Sequence, residues 1–227
     1  MRFAPGVTLE RHPRWNALAF DRPCPVLSSA PVGGGDRLVR RIVNLCVHGD
    51  GCLDACADPE ATFAGLAAEQ GWGGALTGLM TAVSAQDLGV GHAPLRDPLW
   101  SVLATAGTSN AHRAGEPAPV HPGAGTINII AVTGQGLTAA ARAEALALVA
   151  EAKAGLLADL GRTVPGSGRI ATGTGTDAVA IASEGGADTP YSGYHTESGQ
   201  ALVAAVREAV GASLALSGER GAEPEET

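Results

Sequence analysis

Residues 126–160 read TINIIAVTGQGLTAAARAEALALVAEAKAGLLADL, which is the pattern of a strand followed by a helix. The first eight residues are rich in β-branched side chains and predict a strand from Thr126 to Thr133. Thr138 then precedes a run of Ala and Leu at helical spacing, which predicts a capped helix that ends near Leu160. This unit indicates a domain in which helices cover a sheet.

The flanking segments extend this pattern in both directions. Upstream, we expect a hairpin of strands 25–30 and 40–47 around the turn at 31–36. A helix should follow from its cap Asp58 to about Gln70. After it we expect a strand at 75–85, a loop at 90–98 and a strand at 99–106. Downstream, we expect two strand pieces within 169–183 and a helix over 196–216 with a buried stripe of Leu202, Val206, Val210 and Leu214. Because strands occur in pairs between single helices, the sequence predicts an α/β fold of the α+β kind, with a mixed, largely antiparallel sheet layered with helices.

The chain length and the distribution of charge bound the domain organisation. A chain of 227 residues without an evident linker is expected to form one domain, which we place at residues 1–218. The remaining residues, 219–227, are strongly acidic and predict a disordered tail.

Composition argues against several classes of partner. The net charge of −8 disfavours nucleic-acid binding, which requires a basic face. No unbroken apolar run approaches 18 residues, so we expect neither a membrane-spanning helix nor a membrane partner. The first twenty residues lack the compact apolar segment of a secretory signal, which predicts a cytoplasmic protein. The sequence leaves a homo-oligomer open.

Three cysteines lie near a histidine in one short segment, namely Cys46, Cys52 and Cys56 near His48. Thiolates and an imidazole can bind zinc, but zinc ligands usually come in closer pairs such as Cys-x-x-Cys. We therefore predict reduced cysteines in and beside a loop, with no metal site. A zinc-dependent hydrolase built on this cluster stays open as an alternative.

Lys153 is the only lysine in the chain, and it falls on the apolar face of the predicted helix. A cation at such a position must reach solvent, pair with a carboxylate or give up its charge. Two interpretations follow, a structural buried ion pair or a site lysine that acts as a base or stabilises an anionic transition state.

Residues 171–178, ATGTGTDA, form the most unusual segment of the sequence. Alternating Thr and Gly place hydroxyls on one face and bare backbone on the other, where a bulky ligand can approach amide N–H groups. The segment lacks the glycine spacing of a dinucleotide fingerprint and runs into a strand, which argues against nucleotide binding through it. Asp177 is expected to point inward, and we predict that it contacts Lys153.

Further polar residues are candidates for the same site. Asn128 and Thr126 lie on the predicted strand that follows Gly125, and we expect them to share a face of the sheet with the Thr-Gly segment. His195 precedes the final helix, which Thr196 is expected to cap, and a neutral imidazole there suits a general base. Ser29 ends a strand beside a glycine turn, where it is either a nucleophile or part of the turn.

Taken in order, several short motifs resemble the adenosylcobinamide amidohydrolase family of corrinoid salvage. The matching pieces are Leu27-Ser-Ser-Ala30 with Gly33-Gly-Gly35, Asn44, Thr81-Ala82, Asn110-Ala111, Gly125-Thr-Ile-Asn128, Glu151-Ala-Lys153, Gly173-Thr-Gly-Thr-Asp-Ala178, and Gly193-Tyr-His-Thr196 with Gly199. The Cys46 to Cys56 cluster and the loop at 107–125, which is either a lid or a surface excursion, are not features of that family.

The resemblance implies hydrolysis of the amide that joins aminopropanol to a corrin side chain, giving adenosylcobyric acid, with a corrinoid as small-molecule partner and no cofactor. Amide hydrolysis needs an activated nucleophile, an oxyanion stabiliser and an acid for the departing amine. We expect Asp177 or His195 to activate water or a threonine hydroxyl, with Thr176 as the candidate, and Lys153 to stabilise charge or protonate the amine. The backbone donors of Gly173 to Thr176, together with Asn128, are expected to hold the oxyanion. The expected substrate-binding residues are Asn128, Thr126, Gly173, Thr174, Gly175, Asn44, Asn110 and Ser29.

A non-catalytic corrinoid-binding protein is the main competing prediction. It would use the same glycine-rich surface but would need no lysine on the apolar stripe of the helix. A nucleotide-using enzyme is disfavoured because the chain lacks a Walker or dinucleotide motif.

Overall fold

The structure, a computed structural model, describes residues 1–47, 52–93, 99–117, 125–184, 186 and 188–220. The strands in this part of the chain are β1 Arg2–Ala4, β2 Val7–His12, β3 Trp15–Ser28, β4 Gly35–Cys46, β5 Leu76–Thr81, β6 Gly89–Ala93, β7 Trp100–Ala106, β8 Ala111–His112, β9 Ile127–Thr133, β10 Gly173–Thr174 and β11 Ala178–Ser183. The helices are α1 Cys52–Ala57, α2 Pro59–Gln70, α3 Ala139–Asp159 and α4 Glu197–Arg220.

Nine of these strands form one mixed sheet, which confirms the predicted fold class. The order β1-β2-β3-β11-β9-β7-β6 runs across it, and β4 pairs with both β3 and β5. Most neighbours are antiparallel, whereas the pairs β9–β11 and β4–β5 are parallel. Helix α3 connects the parallel strands β9 and β11. Strands β8 and β10 form a separate two-stranded ribbon.

The sheet folds over on itself because β3 and β4 are long enough to belong to two layers. β3 pairs with β2 along its first half and with β11 along its second half, and its register with β4 breaks between Ala19 and Cys24. One apolar cluster joins the two layers, with Leu18 from one and Ile130 from the other. Helices α3 and α4 pack on the outer face of one layer and α2 on the outer face of the other.

The three predicted helix caps, Asp58, Thr138 and Thr196, are confirmed, and the Thr196 hydroxyl accepts from the backbone of Gly199 at 2.9 Å. Asp58 accepts a hydrogen bond from the backbone of Ala61 at 3.0 Å, and α2 ends at Gly71 in the left-handed conformation with φ of 65°. Thr138 accepts from the backbone of Ala141 at 3.1 Å and so caps α3.

Helix α4 has the predicted buried stripe. Leu202, Val206 and Val210 are fully buried against the sheet and α3. Residues 197–218 of this helix also have the length and composition of a membrane-spanning segment, which a core helix can share. Helix α4 continues to Arg220 and so includes the first two residues of the predicted acidic tail, 219–227. Residues 221–227 lie outside the described part.

The predicted loop at 90–98 is wrong over its first part, because residues 89–93 form strand β6. The glycines that suggest a loop are required by packing, since a Cβ at Gly89 or Gly91 would overlap backbone carbonyls of Ala209 and Ala205 in α4. The first twenty residues, for which the sequence predicted no element, form β1, β2 and the start of β3. The strand predicted at 75–85 ends at Thr81.

Candidate active site

The predicted contact between Lys153 and Asp177 is confirmed. Helix α3 runs back along the sheet, which brings Lys153 near its C-terminal end to the start of β11. There the ammonium donates a hydrogen bond to Asp177 Oδ2, and the two side chains are 11% and 10% exposed. The cation on the apolar face of α3 is therefore compensated by a buried carboxylate.

Asp177 joins four donors at one point. Besides Lys153, its carboxylate accepts from the backbone N–H of Thr174 at 2.9 Å, from the hydroxyl of Thr174, and from the backbone N–H of Ile127 at 2.8 Å. These bonds connect α3, the turn before β11 and the start of β9. A carboxylate with four donors is held in one orientation, and the Thr174 hydroxyl points directly at it.

Gly173 makes room for this ion pair. A Cβ at this position would lie 2.8 Å from Lys153 Nζ and would overlap Asp177 Oδ2. No side chain can occupy that space without displacing one of the two charged groups. By contrast, a Cβ at Gly175, in the exposed part of the turn, would meet nothing within 4 Å.

Thr176 clamps the turn to the sheet and does not touch Asp177. Its backbone oxygen accepts from the Thr126 hydroxyl at 2.9 Å, and its own hydroxyl donates to the backbone oxygen of Gly125 at 3.2 Å. Asn110 donates to the same Gly125 oxygen at 2.6 Å. Of the two threonines of the turn, Thr174 therefore has the hydroxyl placed for activation, whereas the sequence suggested Thr176.

The two interior asparagines form a polar network where the sheet layers meet. Asn128 Nδ2 donates to Asn44 Oδ1 at 2.8 Å and to the backbone oxygen of Met80 at 2.7 Å, and Asn44 donates to Thr105 at 2.8 Å. Because both amide hydrogens of Asn128 are used, this side chain has none to offer an oxyanion. The predicted oxyanion role of Asn128 is therefore not supported by its hydrogen bonds.

Within the described residues, three buried asparagines have an amide oxygen without a partner, and two of them, Asn128 and Asn110, lie in this region. Each can accept a hydrogen bond but cannot donate one. Ser29 lies close to this region, since it exchanges hydrogen bonds of 3.0 Å with Val179, two residues beyond Asp177. The predicted substrate-binding residues thus gather around the N-terminal ends of β9 and β11.

His195 lies elsewhere. Its neighbour Ser192 is bonded to Glu144 near the beginning of α3, nine residues before Lys153 and so about 13 Å away along the helix axis at 1.5 Å per residue. The imidazole is exposed, and its ring centroid lies 6.2 Å from that of Tyr191. The structure does not bring His195 to Asp177, because α3 separates the loop that carries it from the Thr-Gly turn.

His112 is the histidine that the structure places at the turn. It lies on β8 directly opposite Gly173 of β10. It belongs to the segment 107–125, whose described part therefore helps to build the site, while residues 118–124 lie outside the described part. Only a weak feature of the sequence pointed to His112, namely its position directly after Asn110-Ala111, one of the motifs that resemble the family.

The cysteine cluster can be assessed only in part. His48 and the side chain of Cys52 lie outside the described residues, and among the residues that are described no three His, Cys, Asp or Glu side chains are arranged to hold a metal ion. Cys24 lies at the other end of the sheet, beside a cavity of about 400 Å³. Burial, with a smaller contribution from the negative charge of Glu184, raises the pKa of the Cys24 thiol to about 12. This thiol is therefore a poor nucleophile.

Comparison with known proteins supplies the functional context for this geometry. A family model described as adenosylcobinamide amidohydrolase matches residues 4–222. Two proteins named adenosylcobinamide amidohydrolase are similar to the chain. The one from Methanosarcina mazei is 33% identical over an alignment that covers 71% of this chain and 77% of the relative. The one from Halobacterium salinarum is 41% identical over 50% of this chain and 49% of the relative. An uncharacterized protein of Methanocaldococcus jannaschii is 37% identical over 38% of this chain and 34% of its own length. The matches therefore span half or less of the last two relatives.

Proposed function

The chain belongs to the adenosylcobinamide amidohydrolase family, and we propose on this basis that it hydrolyses the amide between aminopropanol and the corrin side chain of adenosylcobinamide. The products are adenosylcobyric acid and aminopropanol. The structural observation that carries the proposal is the arrangement of Lys153, Asp177 and Thr174, in which a hydroxyl is bonded to a carboxylate that a buried cation holds in place.

Thr174 is the nucleophile in this proposal. Its oxygen attacks the carbonyl carbon of the amide while its proton passes to Asp177 Oδ1, along the hydrogen bond that already joins them. Lys153 fixes Asp177 and supplies a positive charge beside the developing negative charge. Breaking the C–N bond then leaves an ester on Thr174, and water hydrolyses this ester to the free acid.

In this proposal, the backbone of the turn stabilises the oxyanion. The N–H of Thr176 points toward the Thr174 hydroxyl at 3.5 Å, which is too long for a strong hydrogen bond. An oxyanion that forms on the carbon attacked by Thr174 would lie within reach of this N–H group. Such donors contribute most when they are held rigidly, as the clamp of Thr176 on Gly125 holds this one.

The surroundings of the turn suit the amide-rich edge of a corrinoid. Gly175 and Thr176 are exposed, and Ser29 presents a further hydroxyl nearby. This surface offers neutral donors and acceptors, which match amide side chains better than they match phosphate.

The test is incubation of the purified protein with adenosylcobinamide, followed by separate quantification of aminopropanol and adenosylcobyric acid. Release of the two products in equal amounts is expected. Binding of adenosylcobinamide without release would overturn the proposal in favour of a corrinoid-binding protein. Turnover that requires zinc, shown by elemental analysis and by loss of activity on chelation, would instead favour the alternative built on Cys46, His48, Cys52 and Cys56.

A further inference from the structure

The reaction proposed above needs a proton donor for the departing amine. An amine leaves an amide readily only when its nitrogen is protonated as the C–N bond breaks. Asp177 already accepts four hydrogen bonds, and Lys153 is bonded to Asp177. The ion pair therefore acts on the proposed nucleophile, Thr174. The proton for the departing amine must come from another group near the ion pair.

The β8–β10 ribbon brings one further titratable side chain to the turn. His112 is the register partner of Gly173, and Ala111 is the partner of Thr174. Directly opposite residues of an antiparallel pair project their side chains to the same face, with Cβ atoms about 5 Å apart. The His112 side chain therefore leaves the ribbon on the same face as a Cβ at Gly173 would. A Cβ at Gly173 would lie 2.8 Å from Lys153 Nζ.

The surroundings of His112 leave its imidazole available. Its backbone oxygen accepts from Thr172 at 2.9 Å, which fixes the ribbon beside the turn. The side chain is half-buried, and within the described part of the chain its ring makes no hydrogen bond or ion pair. Within the described residues, this is a half-buried histidine without a partner on the face of the ribbon where the Lys153–Asp177 pair lies. These are properties expected of a group that exchanges protons with a substrate.

We propose that His112 is the general acid that protonates the aminopropanol nitrogen, an inference that rests on the proposed function. As the C–N bond breaks, its electron pair goes to nitrogen, which takes the proton of the His112 imidazolium, and the Thr174 ester remains. The neutral imidazole then takes a proton from the water that attacks this ester. The C–O bond to Thr174 breaks, Thr174 regains its proton from Asp177, and the carboxylic acid leaves.

The experiment compares two leaving groups in the variant H112Q. The first substrate is adenosylcobinamide, and the second is the 4-nitrophenyl ester of adenosylcobyric acid at the same side chain, whose nitrophenolate departs without a proton. We expect H112Q to lower the rate of aminopropanol release by about 10²- to 10⁴-fold. The burst of nitrophenolate, which reports only attack by Thr174, is expected to change by less than about threefold.

The matched control is H92Q, because His92 lies on the edge strand β6 and Gln can keep its hydrogen bond to Ser101. This variant is expected to process both substrates like the wild type. A second variant, H112A, is expected to regain amide turnover when imidazole is added, which a purely structural role would not allow.

Three outcomes overturn the assignment. Equal losses on amide and ester in H112Q would show that His112 shapes the turn, and unchanged amide turnover would show that it is not needed. Absence of imidazole rescue in a folded H112A would likewise exclude proton transfer by this group. If the wild type released no aminopropanol at all, the proposed function itself would fall, so the two failures are distinguishable.

Discussion

Lys153 and Asp177 form an ion pair in which both side chains are about nine-tenths buried, although 24 positions separate them in the sequence. The pair ties the end of α3 to the turn before β11, and it sets the direction in which Thr174 presents its hydroxyl. Stability and the proposed chemistry therefore depend on the same contact, and different substitutions can separate the two effects.

Removing the cation is expected to destabilise the protein. In K153M the carboxylate of Asp177 stays buried without its charged partner, and the free energy of unfolding is expected to fall by about 3 kcal/mol or more. Urea denaturation followed by circular dichroism measures this change. The double variant K153M/D177N removes the uncompensated charge and is expected to recover part of the loss. A K153M protein as stable as the wild type would contradict the buried ion pair.

Substitution of the two threonines of the turn is expected to give different results. T174V removes the proposed nucleophile and is expected to lower aminopropanol release by at least about 10³-fold, whereas T174S, which keeps a hydroxyl, is expected to retain measurable turnover. T176V only loosens the clamp on Gly125 and is expected to retain more activity than T174V. Steady-state product assays measure these rates. Similar losses in T174V and T176V would argue against Thr174 as the nucleophile.

Gly173, which is buried, and Gly175, which is exposed, offer a matched pair for the packing argument. G173A places a methyl group in the space of the Lys153–Asp177 pair and is expected to cost about 2 kcal/mol of stability, a typical figure for overpacking. In G175A the new methyl meets nothing within 4 Å, and stability is expected to stay within about 0.5 kcal/mol of the wild type. Thermal and urea unfolding of both variants provide the check. Equal stability of the pair would refute the steric role of Gly173.

Cys24 is expected to make stability fall at high pH. Its pKa is about 12 in the folded protein and 9.0 without the influence of the fold, so between these values only the unfolded chain loses the proton. Ionisation then favours unfolding, and stability is expected to decrease by up to about 1.4 kcal/mol per pH unit above pH 9. Below pH 9 both states hold the proton, and Cys24 adds no dependence on pH.

The variant C24A isolates this contribution, because every other titrating group is common to both proteins. Urea unfolding at pH 8, 9, 10 and 11 is expected to give a shallower decline for C24A than for the wild type. In addition, Cys24 is expected to resist iodoacetamide at pH 8 while the exposed Cys56 reacts, as peptide mass spectrometry would show. Rapid alkylation of Cys24 in the folded protein would contradict its burial.

Local patterns predicted the parts of the fold that depend on local physics. Helix caps at Asp58 and Thr138 satisfy backbone groups within one turn, so a few neighbouring residues were sufficient to place α2 and α3. The strand β6 was missed because Gly89 and Gly91 resemble loop residues. Both must be glycine because the backbone of α4, about 115 positions away in the sequence, packs directly against them.

The candidate site shows the same division. The position of Lys153 on an apolar stripe demanded a carboxylate, and Asp177 was the inward-pointing acid at the start of a strand, so burial of charge made the contact predictable. The contact of Thr174 rather than Thr176 with Asp177, and the position of His112 rather than His195 beside the Thr-Gly turn, were not predictable. Helical spacing does not reveal which loops meet at the end of a folded sheet.

The sequence by itself therefore determined the fold class, the helices with their caps, the resemblance to a family and the partner of the single lysine. Each of these follows from periodicity, short motifs or the cost of burying an unpaired charge. Only the tertiary structure decided that the sheet folds back on itself, that Asn128 has spent its amide hydrogens, and that His112 faces the Thr-Gly turn. Those relationships depend on strand register between distant segments, where a shift of one residue turns a side chain to the other face.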